Sequence, residues 1–237
     1  MAEHKLALVV GANRGIGLGV VKAFLGHGWD VIATARKPAE ASALNTLAAA
    51  APGRVTITAL EMNDTAALDG FAASFGKGPL AGKILDIALI NAGVSGPAHR
   101  SASEATEAEI GALMTTNAIA PIRLARALAP HVRAGTGVIA FTSSIMGSVA
   151  QNPGGHELYR ASKAALNSLS RGLYGELASR KLTLLSLHPG WVRTDMGGPN
   201  AAVAVEDSAR GMVDVMLAQQ GRHHHAYLDY QGKEIAW

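Results

Sequence analysis

Short apolar runs alternate along the chain with longer segments in which apolar residues recur at helical spacing. The apolar runs predict strands at residues 5–10, 30–34, 54–59, 84–90, 137–142 and 182–188, with further strand-like stretches at 226–229 and 233–237. Helical spacing predicts helices at 16–27, 106–134 and 158–179, and another from about residue 205. Strands that are apolar throughout are typical of a parallel sheet buried on both faces. The pattern therefore predicts an α/β fold.

The composition is that of an ordinary globular chain with a lightly charged surface. Of 237 residues, 49% are apolar and 16% are charged, and this length suits one domain spanning residues 1–237. The absence of cysteine excludes disulfides and thiolate chemistry and fits a reducing compartment. The first apolar run ends at Gly11, too early for a signal peptide or a membrane span. We therefore expect a cytoplasmic protein without membrane contact.

Basic residues do not form a surface suited to nucleic acid. The net charge is +3, but lysine and arginine are scattered along the chain rather than gathered in a stripe. A local anion site accounts better for the adjacent Arg36 and Lys37. The run His223-His224-His225 precedes a strand-like stretch and is expected to be an exposed turn, so no metal site is predicted.

A glycine-rich turn follows the first predicted strand and opens the first predicted helix. Gly11, Gly15 and Gly17 have the spacing G-x-x-x-G-x-G, with Asn13, Arg14 and Ile16 between them. Such a turn exposes backbone N–H groups and the positive end of a helix to a pyrophosphate. A purely structural loop would look the same in isolation, but its place between strand and helix favours a nucleotide site.

Tyr159 and Lys163 are separated by one helical turn. The i,i+4 spacing puts both on one helix face, with Cβ atoms about 6 Å apart. A cation about 4 Å from a phenol favours phenolate by about 4 kcal/mol, so we expect the pKa of Tyr159 to fall towards neutrality. The phenol could then act as a general acid and base. A half-buried tyrosine beside a solvated lysine has the same spacing.

Polar residues also follow two other predicted strands. Ser143 and Ser144 follow the strand at 137–142, at the edge where open α/β sheets bind ligands. Asn91-Ala92-Gly93 closes the strand at 84–90 and serves either a nucleotide or the scaffold. Asn117 lies inside a predicted helix that Pro121 and Pro130 should bend or end. Asparagine is mildly unfavourable there unless its amide is needed.

Taken in order, these motifs resemble the short-chain dehydrogenase/reductase family. The resemblance rests on residues 11–17, Asn91-Ala92-Gly93, Asn117, Ser144, Tyr159, Lys163 and Pro189-Gly190, and it covers nearly the whole chain. The stretches 159–167 and 188–198 are most similar to the C-factor-like and sniffer-like carbonyl reductases of the family. The resemblance implies a single-domain, Rossmann-type, doubly wound parallel sheet of about seven strands with helices on both faces.

The resemblance also implies the site residues. The catalytic residues would be Asn117, Ser144, Tyr159 and Lys163, with Ser144 chosen as the second serine of its pair. In reduction, Tyr159 would give a proton to the substrate oxygen and Ser144 would stabilise that oxygen. The cofactor-binding residues would be Gly11, Asn13, Arg14, Gly15, Ile16, Gly17, Arg36, Met62, Asn91, Ala92, Gly93, Tyr159, Lys163, Pro189, Gly190, Val192 and Thr194.

The end of the second strand points to NADP(H) rather than NAD(H). NAD-preferring members carry an aspartate where this chain has Ala35, and Arg36 follows. Arg14 is a basic residue that NADP-preferring members share, and basic side chains suit a 2′-phosphate. Asp30 opens the strand and should therefore lie at the opposite edge of the sheet. Met62 stands in a family Asp-Val position, so its backbone rather than its side chain would contact the adenine.

The sequence therefore predicts an NADP(H)-dependent oxidoreductase that acts on a carbonyl or alcohol substrate. An NADP-binding signalling or redox-sensing protein is the alternative, although it would not need all four catalytic residues. A nucleotide-sugar epimerase or dehydratase would carry a larger substrate region. The short interval from 197 to 203 predicts an open site with loose substrate selection, and residues 150–156 a wall of the cleft. Apolar positions on the Tyr159 helix suit a homodimer or homotetramer.

Overall fold

Seven parallel strands form one sheet in the order β3-β2-β1-β4-β5-β6-β7. The structure is a computed structural model and describes residues 5–237. The strands are β1 (Leu6–Val10), β2 (Asp30–Ala35), β3 (Val55–Ala59), β4 (Ile87–Ile90), β5 (Val138–Thr142), β6 (Thr183–His188) and β7 (His225–Asp229). The predicted α/β fold with a doubly wound, Rossmann-type parallel sheet is confirmed.

Helices cover both faces of the sheet. They are α1 (Gly15–Gly26), α2 (Ser42–Ala50), α3 (Thr65–Ala73), α4 (Glu107–Met114), α5 (Ala120–Leu128), α6 (Glu157–Glu176) and α7 (Val205–Ala218). Side chains of α1, α2 and α7 share one apolar cluster with one face of the sheet. Side chains of α3, α5 and α6 share the other cluster. Residues 1–4 of the predicted 1–237 domain lie outside the described part.

β1 and β4 are apolar throughout because each of their two faces packs on a layer of helices. In β1, Ala7 and Val9 belong to one cluster while Leu8 and Val10 belong to the other, and all four are buried. Successive strand side chains point to opposite faces, so both sets must be apolar. The apolar runs read from the sequence thus reflect burial on two sides.

Most predicted strands agree with the structure to within one residue at either end, and two stretches differ. β4 begins at Ile87 rather than at residue 84, since Leu85 forms only an isolated bridge, with Val132. The predicted strand at 233–237 is wrong. After the turn at Gly232 the chain reverses and makes a single antiparallel bridge, between Leu228 and Glu234. Helices α2 and α3 were not singled out from the sequence.

The predicted helix at 106–134 is broken into pieces. A π-helical turn, Thr115–Ile119, joins α4 to α5, and a 3-10 turn, Ala129–His131, follows α5. Pro121 has no N–H to give to the carbonyl of residue 117, which explains an irregular ladder at this point. The predicted disruption near both prolines is confirmed, and it places Asn117 within the π-helical turn.

The carboxyl ends of the central strands meet at one edge of the sheet. β1 and β4 are neighbours, and the chain winds from them in opposite directions. Segments beginning with Gly11, Asn91, Ser143 and Pro189 therefore leave the sheet side by side. This is the edge at which open α/β sheets bind ligands.

Candidate active site

The glycine turn between β1 and α1 is compact and leaves its backbone accessible. Gly11 has φ of +79°, a conformation that favours glycine. A Cβ atom added at Gly17 would lie 2.1 Å from the carbonyl oxygen of Gly11, so the first turn of α1 packs directly on the loop. Gly15 begins the helix, Asn13 and Arg14 are exposed, and Ile16 packs on the core beneath.

Asn91 braces the glycine turn from β4. Its Nδ2 donates to the carbonyl oxygen of Gly11 at 3.0 Å, and its Oδ1 accepts from the Thr142 hydroxyl at 3.0 Å. The amide thereby links the ends of β1, β4 and β5. Ala92 lies against Gly11, since a Cβ atom on that glycine would be 3.0 Å from the Cα atom of Ala92. The predicted Asn91-Ala92-Gly93 segment therefore has a definite structural role at this edge.

Tyr159 and Lys163 lie on one face of α6, as their spacing predicts. Lys163 is 3% exposed, and its Nζ atom lies 5.7 Å from the centre of the Tyr159 ring. The same Nζ donates to the carbonyl oxygen of Thr142 at 2.8 Å. The ammonium is therefore held between the end of β5 and the phenol.

Burial shifts the pKa of Tyr159 in the direction opposite to the one that the spacing predicts. Burial raises the pKa of Tyr159 to about 12, and hydrogen bonding with the Ser144 side chain opposes that rise. Burial also lowers the pKa of Lys163 to about 8. The expected fall in the pKa of Tyr159 is thus wrong, because desolvation dominates the ionisation of this phenol. At neutral pH the phenol is protonated and the lysine is charged.

Ser144 follows β5 and reaches the phenol of Tyr159. Its backbone is extended, it is 7% exposed, and its Oγ accepts from the Met146 N–H at 3.2 Å. Ser143 turns the other way, since its hydroxyl donates to Oδ1 of Asn167 at 2.7 Å within the core. The choice of Ser144 over Ser143 agrees with this geometry.

Asn117 is fully buried in the π-helical turn and binds the segment after β4. Its Oδ1 accepts from the Val94 N–H at 2.9 Å, and its Nδ2 donates to the Val94 carbonyl at 2.8 Å and to the Ser162 hydroxyl at 3.0 Å. Gly93 lies between Asn117 and Lys163, since a Cβ atom there would be 3.3 Å from Oδ1 and 3.5 Å from Nζ. The amide is thus beside the lysine, and both of its Nδ2 hydrogens are bonded while Oδ1 can accept one more.

The segment after β6 closes the far side of the glycine turn. Pro189 and Val192 are buried, Gly190 lies between them, and Thr194 packs near Gly15. Arg14 and Asp195 form an exposed ion pair that joins this segment to the start of α1. The predicted residues of both segments therefore face each other across the edge of the sheet.

The end of β2 carries an exposed cation, as expected. Arg36 is exposed after the buried Ala35, while Lys37 pairs with Glu40 at 3.0 Å. Asp30 begins β2 at the opposite edge of the sheet and accepts from Arg54 at 2.5 Å. Met62 is 5% exposed within the core, which leaves its backbone rather than its side chain for a ligand.

The model of the short chain dehydrogenase family matches residues 5–203. The chain belongs to this family. C-signal of Myxococcus xanthus is 39% identical over 169 residues, which are 70% of this chain and 98% of C-signal. A carbonyl reductase of Pseudomonas aeruginosa PAO1, solved in complex with NADP, is 40% identical with a TM-score of 0.90, over 99% of this chain and 100% of that one. Carbonyl reductase Sniffer of D. melanogaster is 30% identical with a TM-score of 0.88, over the same shares.

These comparisons confirm the resemblance predicted from the motifs, including its C-factor-like and sniffer-like branches. As an oxidoreductase of this family, the protein has Ser144, Tyr159, Lys163 and Asn117 gathered at one edge of its sheet beside the glycine turn. Within residues 5–237, no helix is long and apolar enough to cross a membrane. The same residues contain no group of acidic or histidine side chains placed to hold a metal ion.

Several residues near the site were missed from the sequence. Tyr227 of β7 is 2% exposed and donates to the carbonyl oxygen of Ser144, and Asn167 anchors Ser143. Nothing local marks Tyr227, which lies 83 positions from its partner. The expectation for His225 was also wrong: it begins β7 and is 8% exposed, with its ring tilted against that of Trp237, so at most the first two histidines of the run lie in a turn.

Proposed function

We propose that this protein is an NADP(H)-dependent carbonyl reductase. The observation that carries the proposal is the position of a protonated phenol, Tyr159, between the Ser144 hydroxyl and the charged Lys163, at the sheet edge next to the glycine turn. A neutral phenol is the form that can donate a proton to a carbonyl oxygen as that oxygen gains charge. Ser144 would hydrogen-bond the same oxygen and stabilise its charge.

The residues present fit a dinucleotide. Gly15, partly exposed as the first residue of α1, offers backbone without a side chain at the positive end of that helix, suited to a pyrophosphate. Lys163 would bind ribose hydroxyls and hold positive charge beside Tyr159, while exposed Arg36 and Arg14 would bind a 2′-phosphate. Pro189, Val192 and Thr194 would flank the nicotinamide. When bound, the nicotinamide supplies or accepts the hydride.

After proton donation, Tyr159 must regain a proton. The buried Lys163, with a pKa lowered to about 8, lies beside the phenol and can return one. Asn117 lies beside Lys163 across Gly93 and would support a water that connects the lysine with solvent. With such a water, these residues would form a polar path from the phenol outwards.

An apolar substrate suits the surface around the phenol. The segments that leave β4, β5 and β6 carry exposed large apolar side chains, namely Val94, Ile145, Trp191 and Met196. Between β6 and α7 the described chain has no helix that could form a lid. We therefore favour hydrophobic ketones and aldehydes, accepted with broad selection. The NADP-bound reductase of P. aeruginosa supports the same cofactor for this chain.

The test is NADPH consumption with a panel of aromatic and aliphatic ketones and aldehydes. Wild type should turn over several, and Tyr159→Phe should lose turnover by about 100-fold or more while binding NADPH with unchanged affinity. Turnover by Tyr159→Phe at the wild-type rate would refute the assignment of the proton donor. A titration with NADPH and NADH, followed by nicotinamide fluorescence, should show tighter binding of NADPH.

A signalling protein that binds NADP without useful turnover is the second candidate, and the relative named C-signal is the observation in its favour. It would be supported if wild type bound NADPH but consumed none with any carbonyl tested. The complete set of Ser144, Tyr159, Lys163 and Asn117 at one edge argues for the reductase, because binding alone does not require a proton donor held beside a serine and a lysine.

A further inference from the structure

The carbonyl oxygen of Ser144 accepts a hydrogen bond from a strand that is not a neighbour of β5. Tyr227, on β7, donates its hydroxyl to that oxygen across β6, and its ring is 2% exposed. The same oxygen accepts from the Gly147 N–H at 2.8 Å. Both lone pairs of the Ser144 carbonyl are thereby engaged, and the peptide plane that follows Ser144 is fixed.

The rest of this segment is tied to the same neighbours. Asn167 of α6 accepts from the Ser143 hydroxyl at 2.7 Å, and its Nδ2 lies 3.4 Å from the Gly147 carbonyl oxygen. The Ala150 N–H donates to the carbonyl oxygen of Trp237 at 3.0 Å. Residues 143–150 are therefore held from α6 and from the chain after β7, while the Ser144 hydroxyl faces Tyr159.

Trp237 also holds Tyr227 in place. Its ring lies 5.1 Å from the Tyr227 ring and 4.7 Å from the ring of His225, both centre to centre. Such tilted aromatic contacts restrict the rotation of a buried phenol. Burial raises the pKa of Tyr227 to about 12, and hydrogen bonding with the Asn167 and Ser143 side chains opposes that rise without reversing it, so the phenol stays protonated and remains a donor.

We propose that Tyr227 is a positioning residue for the reduction, which orients the Ser144 hydroxyl towards the substrate oxygen through its bond to the Ser144 carbonyl. This inference rests on the proposed reductase function. Its physical basis is that a hydroxyl stabilises a developing oxyanion only when it is held within a narrow range of positions before the reaction. Tyr227 itself touches neither the substrate nor the reacting atoms.

The test begins with Tyr227→Phe, which removes one hydroxyl and keeps the ring against Trp237. We expect kcat to fall about tenfold, with KM for NADPH unchanged within about twofold, because a small displacement of a reacting group lowers the rate without weakening cofactor binding. Tyr174→Phe is the matched control. Its hydroxyl also donates to a backbone carbonyl, that of His223 at 2.7 Å, which precedes β7 and lies outside residues 143–150, so the kcat of this variant should be unchanged.

A double-mutant cycle with Ser144→Ala separates positioning from general stabilisation. If Tyr227 acts through the Ser144 hydroxyl, then Tyr227→Phe should lower kcat about tenfold in wild type and less than about twofold in the Ser144→Ala background. Equal losses in both backgrounds would overturn the proposal, and so would a kcat for Tyr227→Phe equal to that of Tyr174→Phe.

Amide hydrogen exchange tests, independently of turnover, whether Tyr227 holds the segment after Ser144 in place. Tyr227→Phe should raise the exchange rate of residues 146–150 by about tenfold or more, since one tie of the segment is lost, whereas Tyr174→Phe should leave it unchanged. Unchanged exchange in Tyr227→Phe would overturn the proposal. Wild type without turnover on any carbonyl would refute the reductase function, while exchange would still show whether Tyr227 fixes the segment.

Discussion

Replacing Lys163 with methionine is expected to stabilise the fold while abolishing turnover. The lysine is 3% exposed, and its ammonium donates to the Thr142 carbonyl at 2.8 Å. Burial lowers its pKa from 10.5 to about 8, so keeping this side chain charged at neutral pH opposes folding. Methionine has nearly the same volume and carries no charge, and it can fill the same space without a cavity.

The magnitude follows from the pKa of the lysine in the two states. Between about pH 8 and about pH 10.5 the unfolded chain binds more protons than the folded chain, so the free energy of unfolding rises with pH across this window. At pH 7, keeping Lys163 charged in the folded protein lowers the free energy of unfolding by about 3 kcal/mol. Methionine carries no charge and so removes this cost. Loss of the hydrogen bond from Lys163 to the Thr142 carbonyl cancels about 1 kcal/mol of this gain in the free energy of unfolding. We expect a net gain of about 2 kcal/mol at pH 7, falling to nearly zero at about pH 9.5.

Urea unfolding followed by tryptophan fluorescence measures this change at both pH values. Lys22→Met, at an exposed lysine of α1, is the matched control and should alter the free energy of unfolding by less than about 0.5 kcal/mol. NADPH consumption by Lys163→Met should be lost. If Lys163→Met were less stable than wild type at pH 7, or more stable by the same amount at both pH values, the buried charge would not be the cause.

Three further predictions concern the pH profile and the cofactor. The kcat/KM for reduction should be level below about pH 8 and fall above it as Lys163 loses its proton; a level profile to about pH 10 would contradict the role of its charge. Gly17→Ala should abolish NADPH binding, because its Cβ would lie 2.1 Å from a backbone oxygen, whereas Gly26→Ala, with no atom within 4 Å, should bind normally in a fluorescence titration. Arg36→Ala should weaken NADPH binding about tenfold and leave NADH binding unchanged, because one charged hydrogen bond to the 2′-phosphate is lost; Lys37→Ala, whose lysine pairs with Glu40, should change neither.

The fold could be predicted from the sequence because its signals are local. Strands buried on two faces must be apolar at every position, and this leaves unbroken runs such as β1 and β4. The position of Asp30 at the wrong edge for a ribose also followed from its place at the start of β2, and the structure agrees. The stretch at 233–237 misled the prediction because, after the turn at Gly232, it folds back along β7 through a single antiparallel bridge and does not join the parallel sheet.

The sequence by itself determined the seven strands of the sheet and the motifs that follow them, since spacing, glycine and proline act on neighbouring residues, although it did not reveal α2 and α3. Only the tertiary structure decided the protonation of Tyr159 and Lys163, because desolvation depends on every atom packed around a group and not on the four-residue spacing. It alone also brought Tyr227 to Ser144, across 83 positions of the chain. Contacts between β7 and the end of β5 arise from the order of strands in the sheet, which no local pattern records.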